Sequence, residues 1–296
     1  MTYQIISDSS CDLPEEVVKE KNIHVVPFYV SFNGTDYYRE ITEISIRDFY
    51  QKMVDQKGVY PKSSTPSTQD YFDAFEGCVK KDIPVICICI TEKFSASFRV
   101  AASAREMILE QYPDAKITVI NSQVDTVLQG LYTLEACRLR DGGASYEECI
   151  ARLQDIRSSG RIFFTVGNLE YLEHGGRIGK LAGIAGKALG IKPVITLKEG
   201  EIFPSGLART RKKSMLRVID HLTRYIEESF RDSSEYEVCI GFGYSREEAA
   251  EFRELALEKL ASFGITDIPL YQIGATIGVH TGPYPLGFGI IKKAAD

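Results

Sequence analysis

PVICICITEKFSASFRVAASAREMILEQYPDAKITVIN, residues 84–121, decides the fold. Val85–Ile90 is an unbroken apolar run of strand length, which predicts a strand buried on both faces. Ser95–Tyr112 has the length and residue types of a helix, and Ile117–Asn121 reads as a second strand. The same alternation continues on both sides. Tyr3–Ser7 reads as a strand, and Ser9 to Lys21 as a capped helix with Pro14 near its first turn. Ile23–Phe32 is a further β-rich run, and Asn33-Gly34 predicts a hairpin turn into Asp36-Tyr37-Tyr38. Ser45–Gln56 and Gln69–Lys81 read as helices around a loop at Val59–Thr68, and Thr126–Arg140 and Ser145–Ser158 as two more helices. Strands that alternate with helices of this length imply a mainly parallel sheet covered on both faces. Ligands of such sheets sit outside the carboxyl ends of the strands. The loops at Asp8–Ser10, Thr91–Ser97 and Ser122–Thr126 are therefore candidates to line one site.

Arg157-Ser158-Ser159-Gly160 breaks the pattern, and a domain boundary is expected there. Residues 1–160 then form the first α/β domain and residues 161–296 a smaller α/β domain with a mixed sheet. In the second half, Arg161–Val166, Tyr236–Phe242, Leu270–Gln272 and Ile290–Lys292 read as strands. Ile191–Leu197 and Glu201–Phe203 flank Glu199-Gly200 as a hairpin, and Lys212–Glu228 and Arg246–Phe263 read as helices.

The chain has 296 residues, enough for one large or two ordinary domains. Lys plus Arg total 35 against 41 acids, a formal charge of −6, which argues against a nucleic-acid partner. Apolar runs stop short of membrane-spanning length, and the first residues enter a strand without a signal-peptide pattern. A cytoplasmic protein without stable membrane insertion is expected. The seven cysteines form no C-x-x-C pair and no cluster with zinc spacing, so reduced, buried thiols and no metal are expected.

Leu172–Gly190, LEHGGRIGKLAGIAGKALG, sets Gly179, Gly183, Gly186 and Gly190 three or four residues apart. On one helix they would share a face that lets a helix, a backbone or an apolar ligand approach closely. Nucleotide and hydrolase motifs fail on inspection. Gly186-Lys187 is followed by Ala188, Gly241-Phe242-Gly243 lacks a third glycine at Arg246, and neither G-x-S-x-G nor H-E-x-x-H occurs. What remains is rich in hydroxyls. Ser63-Ser64-Thr65-Pro66-Ser67 precedes a helix and Ser95-Ala96-Ser97 opens one. Hydroxyls and free N–H groups at a helix start suit a carboxylate or phosphate, although capping alone also explains them. His280 lies in Gly278-Val279-His280-Thr281-Gly282-Pro283, which reads as a tight glycine loop able to bring the imidazole close to a ligand. Arg209, Arg211, Lys212 and Lys213 form a basic cluster that reads either as a solvated helix start or as a partner surface.

These segments together resemble the DegV family of bacterial fatty-acid-binding proteins. The resemblance runs nearly end to end. It rests on Asp8-Ser9-Ser10-Cys11-Asp12-Leu13, Ser63–Ser67, Ser95-Ala96-Ser97-Phe98, Leu172–Ile178, Ile191-Lys192-Pro193-Val194 and Gly278–Pro283. It implies two α/β domains with one long-chain fatty acid held in a tunnel between them. It also implies a carboxylate bound by hydroxyls of Ser63 and Ser95, with Ser64 and Ser97 beside them. Gly176, Gly179, Gly183 and Gly278 would line the tunnel. Family members similar to this chain serve a separate kinase subunit that converts the bound acid to an acyl-phosphate, a step in phospholipid metabolism. Arg177, Arg209 and His280 would then meet the phosphate or the kinase. The implied protein binds and presents its ligand; no catalytic residue and no cofactor is expected. The rival reading is a small-molecule phosphotransferase that uses His280 on a carbonyl substrate, as in the dihydroxyacetone kinases that resemble this family in fold. A third is a lipid carrier that works without a kinase.

Overall fold

The structure is a computed structural model and describes residues 3–185 and 190–295. Its first sheet carries β1 (Gln4–Asp8), β2 (Ile23–Val26), β6 (Val85–Cys89) and β7 (Ile117–Asn121). They lie in the order β2-β1-β6-β7 and pair in parallel throughout. The side chains of β6 alternate between two cores, as strand geometry requires. Val85, Cys87 and Cys89 join the helices Thr68–Val79 and Ser97–Gln111 on one face. Ile86 and Ile88 join Leu128 and Leu131 of the helix Thr126–Asp141 on the other. Burial on both faces is why this strand is apolar at every position.

The second sheet holds β8 (Arg161–Thr165), β9 (Lys192–Lys198), β10 (Glu201–Ala208), β11 (Tyr236–Phe242), β12 (Leu270–Gln272) and β13 (Leu286–Lys292). Its order is β10-β9-β8-β13-β11-β12, antiparallel except for β11 beside β12. The architecture is that of two α/β domains. The β9–β10 turn places Glu199 and Gly200 at φ of 52° and 81°, the two left-handed positions of a tight hairpin. Strand β13 is central and longer than the expected Ile290–Lys292. Its glycines hid it. A Cβ on Gly289 would stand 3.2 Å from Leu128 Cβ, so the missing side chain admits the helix Thr126–Asp141 against this sheet as well. Twelve of that helix's sixteen residues are buried because it packs on both sheets.

Three further expectations change. Ser9–Lys21 is not one helix: a 3-10 turn at Ser9–Cys11 precedes the helix Glu15–Glu20, with Pro14 at its N-cap. The run Ile23–Phe32 is two strands in two sheets. Pro27 offers no N–H to a ladder, so β2 stops at Val26 and β3 (Tyr29–Ser31) starts a three-stranded antiparallel sheet. That sheet is completed by β4 (Tyr38–Arg39) after the expected turn, and by β5 (Lys62–Ser64) inside the stretch read as a loop. Nor is Leu172–Gly190 one glycine-faced helix. The helix Glu170–His174 ends at Gly175, Gly176 and Gly179 adopt φ of 66° and 48°, and a 3-10 turn at Gly179–Leu181 leads into the single turn Ala182–Ala185. These glycines make turns that side chains resist. Gly186 lies outside the described residues.

Candidate functional site

A cavity of about 630 Å³, part of it open to solvent, is walled by residues from both sides of Gly160. Ser63, Thr65, Ser95, Arg177 and His280 form its polar end, while Phe28, Ile90, Phe94, Leu172 and Ile202 supply apolar wall. Asp125, Phe164, Ile277 and Thr281 belong equally to a second cavity of about 390 Å³. That second space is apolar for most of its length, bounded by Ile162, Ile273, Leu286 and Phe288. The two adjoin across these four residues, the first carrying the polar groups and the second being apolar.

Strand alternation sets the mouth. On β5, Ser63 turns inward and its neighbours Lys62 and Ser64 are exposed. Ser63 Oγ lies 3.1 Å from His280 Nε2. His280 sits in the last turn of the helix Ala275–Thr281, not in a loop. Burial pushes its imidazole down to about 3, and the charge of Arg177 pushes the same way, so the ring is neutral at physiological pH. His280 Nδ1 is buried without a partner. Gly175 makes room for this ring, because a Cβ there would collide with Nδ1. Arg177 is exposed at the cavity edge. It is oriented by Nε donating to Phe94 O at 3.0 Å and Nη1 donating to Gly175 O at 2.7 Å.

Not every expected residue reaches the cavity. Ser64 faces solvent on the far side of β5. Ser97 is fully buried; its Oγ donates to Asp8 Oδ2 at 2.6 Å and lies 2.6 Å from the Tyr71 hydroxyl. Asp8 also accepts from Ser10 Oγ, Gln129 Nε2 and the Ile90 N–H, a buried network that ties β1 to the end of β6. Burial still raises its carboxyl above the usual range. Gly278 packs on Phe49 and Tyr50, and Gly176, Gly179 and Gly183 stand outside the cavity walls. Leu, Ile and Phe side chains make up most of the cavity walls, and the glycines among them are Gly241 and Gly287 rather than the four expected. Arg209 is exposed between β10 and the helix Arg211–Ser229, away from the cavity walls. Arg211 turns inward instead of forming a free basic patch. Its Nε and Nη2 bind the Glu248 carboxylate at 2.8 Å each, and Nη2 donates to Tyr284 O.

Three groups outside the expected ligand set shape the site. Thr65 is in the wall because β5 ends just before it. Glu40 holds the start of the His280 helix, accepting from the Thr276 N–H at 3.1 Å and Thr276 Oγ1 at 2.8 Å. Asp125 stands in the wall common to both cavities, with its carboxyl pushed up to about 7 by burial. It falls within the loop Ser122–Thr126 that strand-end reasoning had marked, but nothing in its local pattern set it apart. No group of His, Cys, Asp and Glu among the described residues is placed to hold a metal ion. Nor is any described helix long and apolar enough to cross a membrane.

Comparison with known proteins bears on this cavity. A DegV domain-containing protein of Caldanaerobacter subterraneus is 30% identical over 98% of both chains. The stearic acid-binding protein of Eubacterium ventriosum superposes with a TM-score of 0.92 at 40% identity, covering 98% of each chain. A fatty-acid-binding DegV family protein of Thermus thermophilus does so at 0.86 and 27%, covering 99% of this chain and 100% of its own. The profile described as "Uncharacterised protein, DegV family" matches residues 2–293, and with end-to-end agreement in sequence and fold this chain belongs to the DegV family.

Proposed function

We propose that this protein binds one long-chain fatty acid along the two adjoining cavities and presents its carboxylate to a separate acyl kinase. The observation that carries the reading is the wall shared by a cavity that bears Ser63, Ser95, Arg177 and His280 and an apolar cavity between the helix Thr126–Asp141 and the second sheet. Burying about 14 methylenes at about 0.8 kcal/mol each gives a gross driving force of roughly 11 kcal/mol, which ordering costs reduce. A carboxylate drawn into such a site needs donors. Ser63 and Ser95 hydroxyls supply them, and Arg177 supplies the positive charge. Residues 1–160 and 161–296 act as the two domains that close on the chain. Arg177, exposed at the cavity edge, and His280 behind Ser63 mark the mouth at which a kinase and its phosphate would arrive, in the cytoplasm, and exposed Arg209 would be a contact for the kinase outside the cavity. The apolar lining of the second cavity suits an acyl chain better than the small carbonyl substrate of the phosphotransferase alternative. Native mass spectrometry of the purified protein, followed by organic extraction, tests the reading. One acyl chain per protein is expected. A protein that is empty and also fails to take up oleate or palmitate overturns it.

A further inference from the structure

Asp125 occupies the N-cap of the helix Thr126–Asp141, where an aspartate ordinarily accepts a hydrogen bond from the helix's first turn. Here the side chain makes no such bond. The next residue, Thr126, takes a left-handed φ of 45° and gives its hydroxyl to Asp12 Oδ2 at 2.5 Å. The Asp125 carboxyl is left in the wall shared by the two cavities, and its Oδ1 is enclosed without any partner. Its companions in that wall offer nothing: Phe164 and Ile277 are apolar, and the Thr281 hydroxyl donates to Ile277 O at 3.0 Å. A plain acyl chain drawn past this point would cover an unpaired polar group, which is costly.

We propose that Asp125 recognises a hydroxyl group carried partway along the acyl chain, so that the preferred ligand is a hydroxylated long-chain fatty acid. The inference rests on the fatty-acid reading above and adds the chemistry of the ligand to it. Asp125 stands in the wall shared by the polar cavity and the apolar one, so for an acyl chain running through both the matching hydroxyl lies between the carboxylate and the terminal methyl rather than beside either. A hydroxyl both donates and accepts, and therefore pairs with the carboxyl in either protonation state. With burial lifting this group to about 7, both states are populated near neutral pH. A ketone accepts only and would pair with the acid form alone. The other ionisable groups near the path are Arg177 and His280 at the mouth, and Asp12 behind Thr126.

Calorimetric titration of the delipidated full chain with stearate, 2-hydroxystearate, 10-hydroxystearate and 12-hydroxystearate tests this. At least one mid-chain isomer is expected to bind about tenfold or more tightly than stearate, the effect of one added buried hydrogen bond, with no gain for the 2-isomer. In Asp125→Ala the order reverses in favour of stearate. Mid-chain isomers that bind wild type no better than stearate overturn the proposal, and so does an advantage that survives in Asp125→Ala. The wild-type ratio decides the matter even if the variant fails to fold. Tight stearate binding without hydroxyl preference removes this inference and leaves the fatty-acid reading standing. Failure of all four acids removes both.

Discussion

At the mouth of the cavity a serine hydroxyl meets a neutral imidazole at 3.1 Å, and this pairing sets what each can do for a carboxylate. His280 contributes no charge, since burial holds its titration near 3. In the proposed site, electrostatic attraction would therefore fall to Arg177, whose guanidinium is fixed by the carbonyls of Phe94 and Gly175, and direct contact to Ser63 and Ser95. Both serines are only half-buried, so truncating them opens no core cavity. Hydrogen bonds to a charged group contribute about 1.5–3 kcal/mol each. Ser63→Ala combined with Ser95→Ala should weaken oleate binding by roughly tenfold or more while leaving the urea midpoint close to wild type. Displacement of a fluorescent fatty acid measures the first quantity and urea denaturation the second. Unchanged affinity in the double variant would place the head group elsewhere.

At the scale of elements, the short helix Glu170–His174 and the His280 helix Ala275–Thr281 meet through a missing side chain. Gly175 has an ordinary φ of −77°, so alanine there strains no backbone; its Cβ would collide with the His280 ring and stand 3.0 Å from Tyr171 O. Gly175→Ala should cost about 1–3 kcal/mol by overpacking, and His280→Ala in the same chain should restore most of it. Urea denaturation of the two single variants and the double closes the cycle; strict additivity would refute the contact. This example also shows what sequence could and could not convey. The β–α–β order around Val85–Asn121 was legible because strand and helix periods are local properties. The turn at Glu199-Gly200 was legible for the same reason. Ser63 and Ser95 were found as hydroxyls at element starts, yet Ser64 and Ser97 looked the same. Only the pleat of β5 and the Asp8 network separate them, and both depend on partners distant in sequence. The glycines of Leu172–Gly190 fit a helical period while serving positive-φ turns, because spacing alone does not report φ. Asp125 and Gly175 gain their roles from residues 39 and 105 positions or more away, respectively Phe164 and His280.

For the whole molecule, the helix Thr126–Asp141 links two sheets that share no strand. Leu128 belongs to the core under β6, and the same residue fills the space left by Gly289 on β13. Neither sheet can lose this helix without exposing the other's apolar face, so the chain should unfold in one cooperative step. The proposed ligand site adds a second link, since its walls run from Ile90, just past the end of β6, and Ser63 of the three-stranded sheet to Phe164 and Ile202 of the second sheet. A ligand bound only by the folded state stabilises it by RT ln(1 + [L]/Kd), about 4.1 kcal/mol at 1,000 times Kd. For a chain of this size about 1 kcal/mol raises the midpoint by roughly 2–4 °C. Delipidated protein heated in a calorimeter should therefore show a single transition. Oleate should move it upward as a whole, by several degrees and with the logarithm of ligand concentration. Two transitions, of which oleate shifts only one, would mean that the shared helix does not couple the sheets and that the acid lies within one of them.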